Sequence, residues 1–273
     1  MPFSKEMILG ASGNQGGAFY SHQIEHSARF SRADNSRLTR TFGTPSSSSK
    51  FTLSFWLRRG RSCEQIDGES GDGQIIMCKA NGVDGSGAAI YFSNFRTNFI
   101  EVIDLYGFGV NSGNTMTTDN SFRDESAFNH FVFRYDTSQS TDSDRQRFYL
   151  NGNQLNLSGG THPNQNSNLS RFNDASAHTI GSAGAGNNSF DGYIAEMVFT
   201  DGQSYAPTNF AQSSNGVWVP KDPSGLTFGN NGFYLKFENA SDLGNDSSGN
   251  NNDLTAANLG ADHQVSDSPT FGS

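Results

Sequence analysis

Apolar and polar residues alternate with a period of two in several short runs of this chain. In the clearest run, residues 51–58, one face would hold Phe51, Leu53, Phe55 and Leu57. Residues 128–136 and 232–238 alternate in the same way. Successive side chains of a β-strand point to opposite faces, so each run predicts a strand with one buried face.

The pattern predicts an all-β fold. No stretch has the periodicity of an amphipathic helix of three turns or more, although Pro207 could begin one short helix. Many short strands separated by turn signals predict a two-layer antiparallel β-sandwich of the jelly-roll type. We assign this single domain to residues 26–258. An extended N-terminal arm covers residues 1–25, and a C-terminal tail covers residues 259–273.

One strand is apolar on both faces and is predicted to lie in the interior of a sheet. It lies within residues 189–202, SFDGYIAEMVFTDG. Alternation places Glu196 on the same face as Ile194 and Val198. A carboxylate there is expected at the sheet rim, paired, or bound to a cation. Further along the chain, Asn151-Gly152 separates two alternating runs, which is typical of a type I′ hairpin.

Composition and charge narrow the classes of partner. The 23 Phe compensate for a hydrophobic content of 33%, and the net charge of −9 argues against a nucleic-acid partner. No apolar run is long enough for a membrane span or a secretory signal, so synthesis in a cytoplasm is expected. The two cysteines, Cys63 and Cys78, do not make a disulfide framework. They could form one disulfide or stay as two free thiols.

The N-terminal arm carries two apolar patches around the glycine-rich residues 10–17. Short apolar segments of this kind often order against a partner, which predicts docking to another protein. The alternative is a frayed end that adds one edge strand. The candidate docking residues are Met7, Ile8, Leu9, Phe19 and Tyr20.

The order of several motifs resembles that of concanavalin A-like, laminin-G-type jelly rolls. These motifs are FTLSFWLRRG, FNHFVFRYD, RFYLNGNQL, HTIGS and FDGYIAEMVF, and the resemblance covers roughly residues 27–240. The run NDSSGNNND at residues 245–253 also resembles a family signature, but it follows the core, whereas in many members it precedes it. The resemblance implies a lectin-like sandwich.

A closer resemblance is to proteins of marine tailed bacteriophages that carry such a domain. It rests on MPFSKEMILGASGNQGG, SARFSRADNSRLTRTF, DGQSYAPTNFA, GVWVPKD and SDSPT. It implies a virion structural protein, as a tail fibre or appendage or as a capsid decoration or head fibre. It also implies attachment to other virion proteins through the arm, and a homo-oligomer such as a trimer.

Catalytic and transition-metal sites are not favoured by the residue spacing. Glucanases of this class carry evenly spaced acids, whereas Glu101 and Asp104 are three apart and would lie on opposite faces of a strand. We therefore predict that the chain is not an enzyme. His22 and His26 would share a metal only on a helix, and the surroundings favour a packed arm. We interpret His130 as a hydrogen-bonded sheet residue.

Two kinds of ligand remain. The family resemblance implies Ca²⁺ as a cofactor, held by Glu196 with Asp191 and Asp246, because carboxylates are the oxygen donors that this ion prefers. The alternative is a rim carboxylate paired with an arginine. Host-surface glycans could stack on loop aromatics, although each could instead pack against the sandwich. The aromatic candidates are Trp56, Tyr106, Tyr205 and Trp218.

The expected function is a non-enzymatic virion structural protein that presents a lectin-like jelly roll, with host-surface glycan adhesion as one use. The alternatives are a stand-alone glycan-binding module and a glucanase-type glycosidase. The expected location is the virion, without membrane insertion.

Overall fold

The computed structural model describes residues 20–61, 73–79, 87–93, 102–109, 114–168, 172–183 and 188–270. In these ranges the strands are β1 (Ser27–Phe30), β2 (Arg37–Thr41), β3 (Lys50–Arg59), β4 (Gln74–Lys79), β5 (Ala89–Ser93), β6 (Val102–Tyr106), β7 (Thr115–Thr118), β8 (Asn129–Asp136), β9 (Gln146–Leu150), β10 (Asn153–Leu155), β11 (Leu157–Ser158), β12 (Ala177–Ile180), β13 (Gly192–Asp201), β14 (Ala211–Ser214), β15 (Val217–Pro220), β16 (Phe233–Leu235), β17 (Thr255–Ala257) and β18 (Gln264–Val265).

Two antiparallel sheets form the predicted sandwich. Sheet A has the order β10-β9-β8-β3-β13-β1-β18, with β16 also paired to β13. Sheet B has the order β11-β7-β6-β5-β4-β12-β2-β17, and β14 and β15 form a separate hairpin. The short helices are 3₁₀ turns at Asp142–Asp144, Pro207–Asn209 and Ala261–His263. No helix among the described residues is long and apolar enough to cross a membrane.

The core lies between the sheets and is rich in phenylalanine. Phe51 is fully buried, and its ring lies within 6.2 Å, centroid to centroid, of five other aromatic rings. Each buried aromatic removes a large apolar area from water. The many Phe residues therefore supply a core despite the low hydrophobic content. The ring partners of Phe51 are Phe108, Phe133, Tyr135, Phe172 and Phe199.

A β-bulge in β13 changes which of its side chains share a face of the sheet. Ala195 pairs with Trp56 of β3 and Val198 pairs with Ser54, so two residues of β13 oppose one of β3. The bulge reverses the alternation. Ile194 packs in the core between the sheets, whereas Val198 packs on the outer face of sheet A. The prediction that Glu196 shares a face with both was therefore wrong for Ile194.

The hairpin prediction is confirmed. β9 and β10 pair directly across the turn, and Asn151 and Gly152 have φ angles of 48° and 80°. Both angles are positive, as a type I′ turn requires. The short helix predicted at Pro207 is present as one 3₁₀ turn.

The segments next to the predicted domain pack against the sandwich. Strand β18, in the predicted tail, pairs with β1 at the edge of sheet A. In the predicted arm, Ile24 is 4% exposed and its backbone N–H donates to Thr270 at 2.9 Å. Packing is thus continuous across both predicted boundaries, 25/26 and 258/259.

Candidate functional site

A cavity of about 220 Å³ opens on sheet A beside the bulge in β13. Residues 22–26 form one wall. The opposite wall holds Glu196 of β13 together with Tyr234, Lys236 and Glu238, which lie in or just after β16. β16 pairs with β13, so their adjacent side chains line one side of the cavity. The lining is rich in groups that can donate or accept hydrogen bonds.

Glu196 is the most constrained residue of this cavity. Its φ of 47° lies in the left-handed region, where a residue other than glycine is uncommon and costs on the order of 1 kcal/mol. The side chain is 5% exposed. Such backbone strain clusters at functional sites, which makes the cavity the leading candidate.

Two side chains donate hydrogen bonds to the Glu196 carboxylate. The Nε2 atom of His22 lies 3.0 Å from both Oε1 and Oε2, and the hydroxyl of Tyr234 donates to Oε1 at 3.1 Å. The predicted partner of Glu196 was an arginine or a cation. In the structure this partner is a histidine that stands 174 positions earlier in the chain.

Burial and the mutual contact shift the pKa values of this group. Burial raises the pKa of Glu196 above its ordinary value, although the bond from His22 opposes that effect. Burial alone would lower the pKa of His22, but the hydrogen bond and charge of Glu196 raise it above 6.5. Burial also holds the pKa of the Tyr234 phenol above its ordinary value, so Tyr234 stays a donor.

Charged groups of both signs surround the pair. Lys236 and Glu238 form an exposed ion pair with 3.9 Å between Nζ and Oε2. The charge of Asp222 also acts on His22 and Glu196. Together with Glu25 of the cavity wall, these groups would present carboxylates and an ammonium to a polar ligand.

A histidine and two tryptophans pack on the outer face of sheet A beside the cavity wall. The indole N–H of Trp218 donates to Nδ1 of His130 at 3.0 Å, so Nε2 carries the proton of the neutral ring and donates to Ser54 at 2.8 Å. Trp56 stacks on His130 with ring centroids 4.8 Å apart. Burial lowers the pKa of His130 to about 3. The interpretation of His130 as a hydrogen-bonded sheet residue is confirmed.

The four predicted glycan-contact residues do not form one surface. Trp56 and Trp218 share the cluster with Ile24, and Trp56 is 5% exposed. Tyr205 packs elsewhere on sheet A, and its hydroxyl accepts the Thr227 N–H at 3.1 Å. Tyr106 packs on sheet B against the cluster that includes Tyr91. Glycan contact by these residues stays a prediction.

The predicted calcium ligands are also dispersed. Asp246 accepts backbone N–H groups from Tyr234, Ser248 and Asn252, so its oxygens organise the loop after β16. Asp191 does not line the Glu196 cavity. The described ranges contain no group of three or more His, Cys, Asp or Glu residues that could hold a metal ion. Calcium binding stays a prediction that these three residues do not jointly support.

The other predicted residues fall partly outside the described ranges. Glu101 and Cys63 lie outside them, and so do the predicted spacing of Glu101 and Asp104 and the disulfide considered for Cys63 and Cys78. Asp104 is buried and accepts hydrogen bonds from Ser93 and Thr117 at 2.7 and 2.6 Å. Cys78 is buried, and its thiol donates to the Ser182 carbonyl. Of the docking residues, Tyr20 is half-buried, and the other four lie outside the described ranges.

Comparison with known families decides the affiliation of the fold. The laminin-G-type family model described as the concanavalin A-like lectin/glucanases superfamily matches residues 32–203. The chain belongs to the concanavalin A-like lectin/glucanase superfamily. The match includes Glu196, but His22 and Tyr234 lie outside it. The superfamily core therefore supplies the carboxylate of the cavity, and flanking segments supply both of its hydrogen-bond donors.

One solved structure with a TM-score above 0.5 agrees with this fold, and two others are similar at lower scores. A proposed carbohydrate-binding protein from Bacteroides ovatus has a TM-score of 0.51 and 16% identity, over 87% of this chain and 61% of its own. A SAP-like pentraxin from Limulus polyphemus scores 0.44 at 12% identity, over 67% and 78% of the two chains. Tailspike protein 2 of an Escherichia coli O157:H7 bacteriophage scores 0.43 at 12% identity, over 64% and 22%.

The likeness to the Bacteroides ovatus protein concerns the fold alone. The chain spans less than two thirds of the length of the Bacteroides ovatus protein. No curated protein matches the sequence. The superfamily resemblance stated from the sequence is confirmed, and the affiliation with marine phages stays a prediction.

Proposed function

We propose that this lectin-like jelly roll binds a glycan in the Glu196 cavity and does so as a non-enzymatic structural component of a bacteriophage virion. The cavity is the observation that carries the glycan part. It combines a buried carboxylate, a phenol, an ammonium and two imidazoles in about 220 Å³. A few convergent polar groups in a concave site are what fixes a small ligand, and sugar hydroxyls can both donate to carboxylates and accept from N–H groups.

Glycan-array binding of the purified chain tests this part, with a matched pair of lysine variants. Lys236 lines the cavity and is 39% exposed, so its truncation should leave the fold intact. Losing a hydrogen bond from a charged group costs about 1.5–3 kcal/mol, which predicts at least a tenfold weaker Kd for Lys236→Ala. Lys221→Ala, an exposed residue that does not line the cavity, should bind as the parent protein does.

Two results would reject the cavity as the glycan site. One is an array without any bound glycan at high protein concentration. The other is a bound glycan whose affinity is unchanged in Lys236→Ala.

The virion part of the proposal rests on the sequence resemblance to phage proteins. Antibody-gold labelling of particles from the source, viewed by electron microscopy, separates the possible locations. Gold over the shell indicates a capsid decoration or head fibre, and gold at the tail indicates a fibre component. Unlabelled particles, with the protein present in the lysate, would leave a stand-alone glycan-binding module.

We propose that the chain has no catalytic activity. The hydrogen bonds of Asp104 support this. Both its oxygens accept hydrogen bonds from neighbouring strands, which suits a structural carboxylate better than a general acid. Hydrolysis of β-glucans by the purified chain that is lost in Glu101→Gln would overturn this and indicate a glucanase.

A further inference from the structure

We propose that His22 and Glu196 form a proton-dependent clasp, which holds residues 20–26 against sheet A when His22 is protonated and loosens as the pH rises. The clasp is a property of the chain itself and does not depend on glycan binding. It joins a residue outside the superfamily match to one inside it.

The geometry is that of a charge-assisted contact. A single imidazole nitrogen lies 3.0 Å from both carboxylate oxygens, so one N–H is shared between them. His22 is 18% exposed and Glu196 is 5% exposed, so water screens the contact little. Hydrogen bonds between an imidazolium and a carboxylate are about twice as strong as neutral ones.

The second carboxylate oxygen of Glu196, Oε2, depends on His22 for a hydrogen-bond donor. The bulge and the left-handed backbone fix where the carboxylate points, and Tyr234 donates to Oε1 alone. Among the described residues, His22 is therefore the side chain that donates to Oε2. A buried carboxylate that faces a neutral ring loses the charge that offsets its burial.

Other contacts of residues 20–26 lie on both sides of His22. Ser21 accepts a hydrogen bond from the exposed Gln212 at 3.2 Å. Ile24 inserts beside Trp56, and its backbone contacts Ser268 and Thr270. Residues 20–26 form no strand or helix, and among the described residues His22 joins them to β13 through its contact with Glu196.

The sign of the pH dependence follows from the groups that face the pair. The groups that face the pair are the carboxylates of Glu25, Asp222 and Glu238, the amine of Lys236, the phenol of Tyr234 and the imidazole of His26. The pKa of His22 is raised, so its stabilising contribution is present at lower pH and is lost as the pH rises through that value. The pKa of Glu196 is also raised, which makes its buried anion costlier in the same direction.

The chain contains its own reporter of this segment. Its two tryptophans, Trp56 and Trp218, both lie in the cluster that includes Ile24. Loosening of residues 20–26 would uncover Trp56 from one side. His130 touches both indoles, but its pKa of about 3 keeps it neutral above pH 6, so it does not itself change the fluorescence.

Acrylamide quenching of tryptophan fluorescence between pH 6 and 9 tests the clasp. We expect the quenching constant of the parent chain to rise about twofold across this range. His22→Gln should give a pH-independent value, since an amide does not titrate. His26→Gln removes the other imidazole of the cavity and should keep the rise. His22→Lys, whose ammonium stays charged to about pH 10, should keep quenching low at pH 8.

A flat profile in the parent chain would overturn the proposal, and so would a rise that persists in His22→Gln. Far-UV circular dichroism at each pH separates local loosening from unfolding. Loss of glycan binding in Lys236→Ala would not bear on this result, because that variant leaves the His22–Glu196 contact in place.

Discussion

Protonation of His130 is expected to destabilise the fold strongly below neutral pH. The ring is buried, and its Nδ1 already accepts the N–H of Trp218. A second ring proton would place an N–H against that N–H and would bury an uncompensated charge. Protonation of the ring is therefore unfavourable in free energy in the native state, whereas in the unfolded chain the imidazole takes up a proton at its ordinary pKa.

The magnitude follows from the shift of the pKa from 6.5 to about 3. A group with a lowered native pKa contributes stability above its unfolded pKa, and that stability is lost as the pH falls towards the native value. Each pH unit below 6.5 costs about 1.36 kcal/mol, so the loss by pH 5 is about 2 kcal/mol. Near pH 7 the loss is close to zero.

Urea unfolding at pH 7 and pH 5 measures this loss when the parent chain is compared with His130→Gln. The amide cannot gain a proton, so the parent should lose about 2 kcal/mol more than the variant between the two pH values. Groups common to both proteins cancel, including His178, whose pKa burial lowers to about 4. Equal losses in the two proteins would refute the burial argument for His130, whatever the stability of the variant at pH 7.

Two further predictions concern loops. Gly152→Ala should destabilise the chain about 1 kcal/mol more than Gly216→Ala in urea unfolding. Both glycines have φ near 80°, so the backbone strain is similar. A Cβ at Gly152 would lie 2.8 Å from the Trp218 ring, whereas the space at Gly216 is open. Equal costs would show that the ring moves freely. Asp246→Asn should cost about 1–3 kcal/mol in the same assay, because its oxygens accept three backbone N–H groups; an unchanged midpoint would contradict that role.

The strands and the sandwich could be predicted because their signals are local. Alternation over residues 51–58 marks β3, and Asn151-Gly152 marks a turn whose positive φ angles asparagine and glycine tolerate. Strand β18 has two residues, and its pairing with β1 joins segments that are more than 230 positions apart. No local pattern reports such a contact.

The candidate site could be predicted only in part, for the same reason. Glu196 is recognisable as an acid in an apolar strand, and such an acid needs a partner. Nothing in the sequence connects it to His22, because their contact depends on a bulge that redirects the carboxylate. Residues 195–198 of β13 contain no glycine, so no glycine in the sequence marks the bulge.

The edge pairing of β1 with β18 has a mechanical consequence. Ser27 pairs with Val265 at the end of the ladder from which both neighbouring segments depart. Tension that pulls those two segments apart would open the ladder one hydrogen bond at a time, since the load runs across the strands. The ion pair of Arg58 with Asp267 and the bond from Ser268 to Ile24 would carry that load first. Under such tension the edge would yield before the central pairing of β3 with β13.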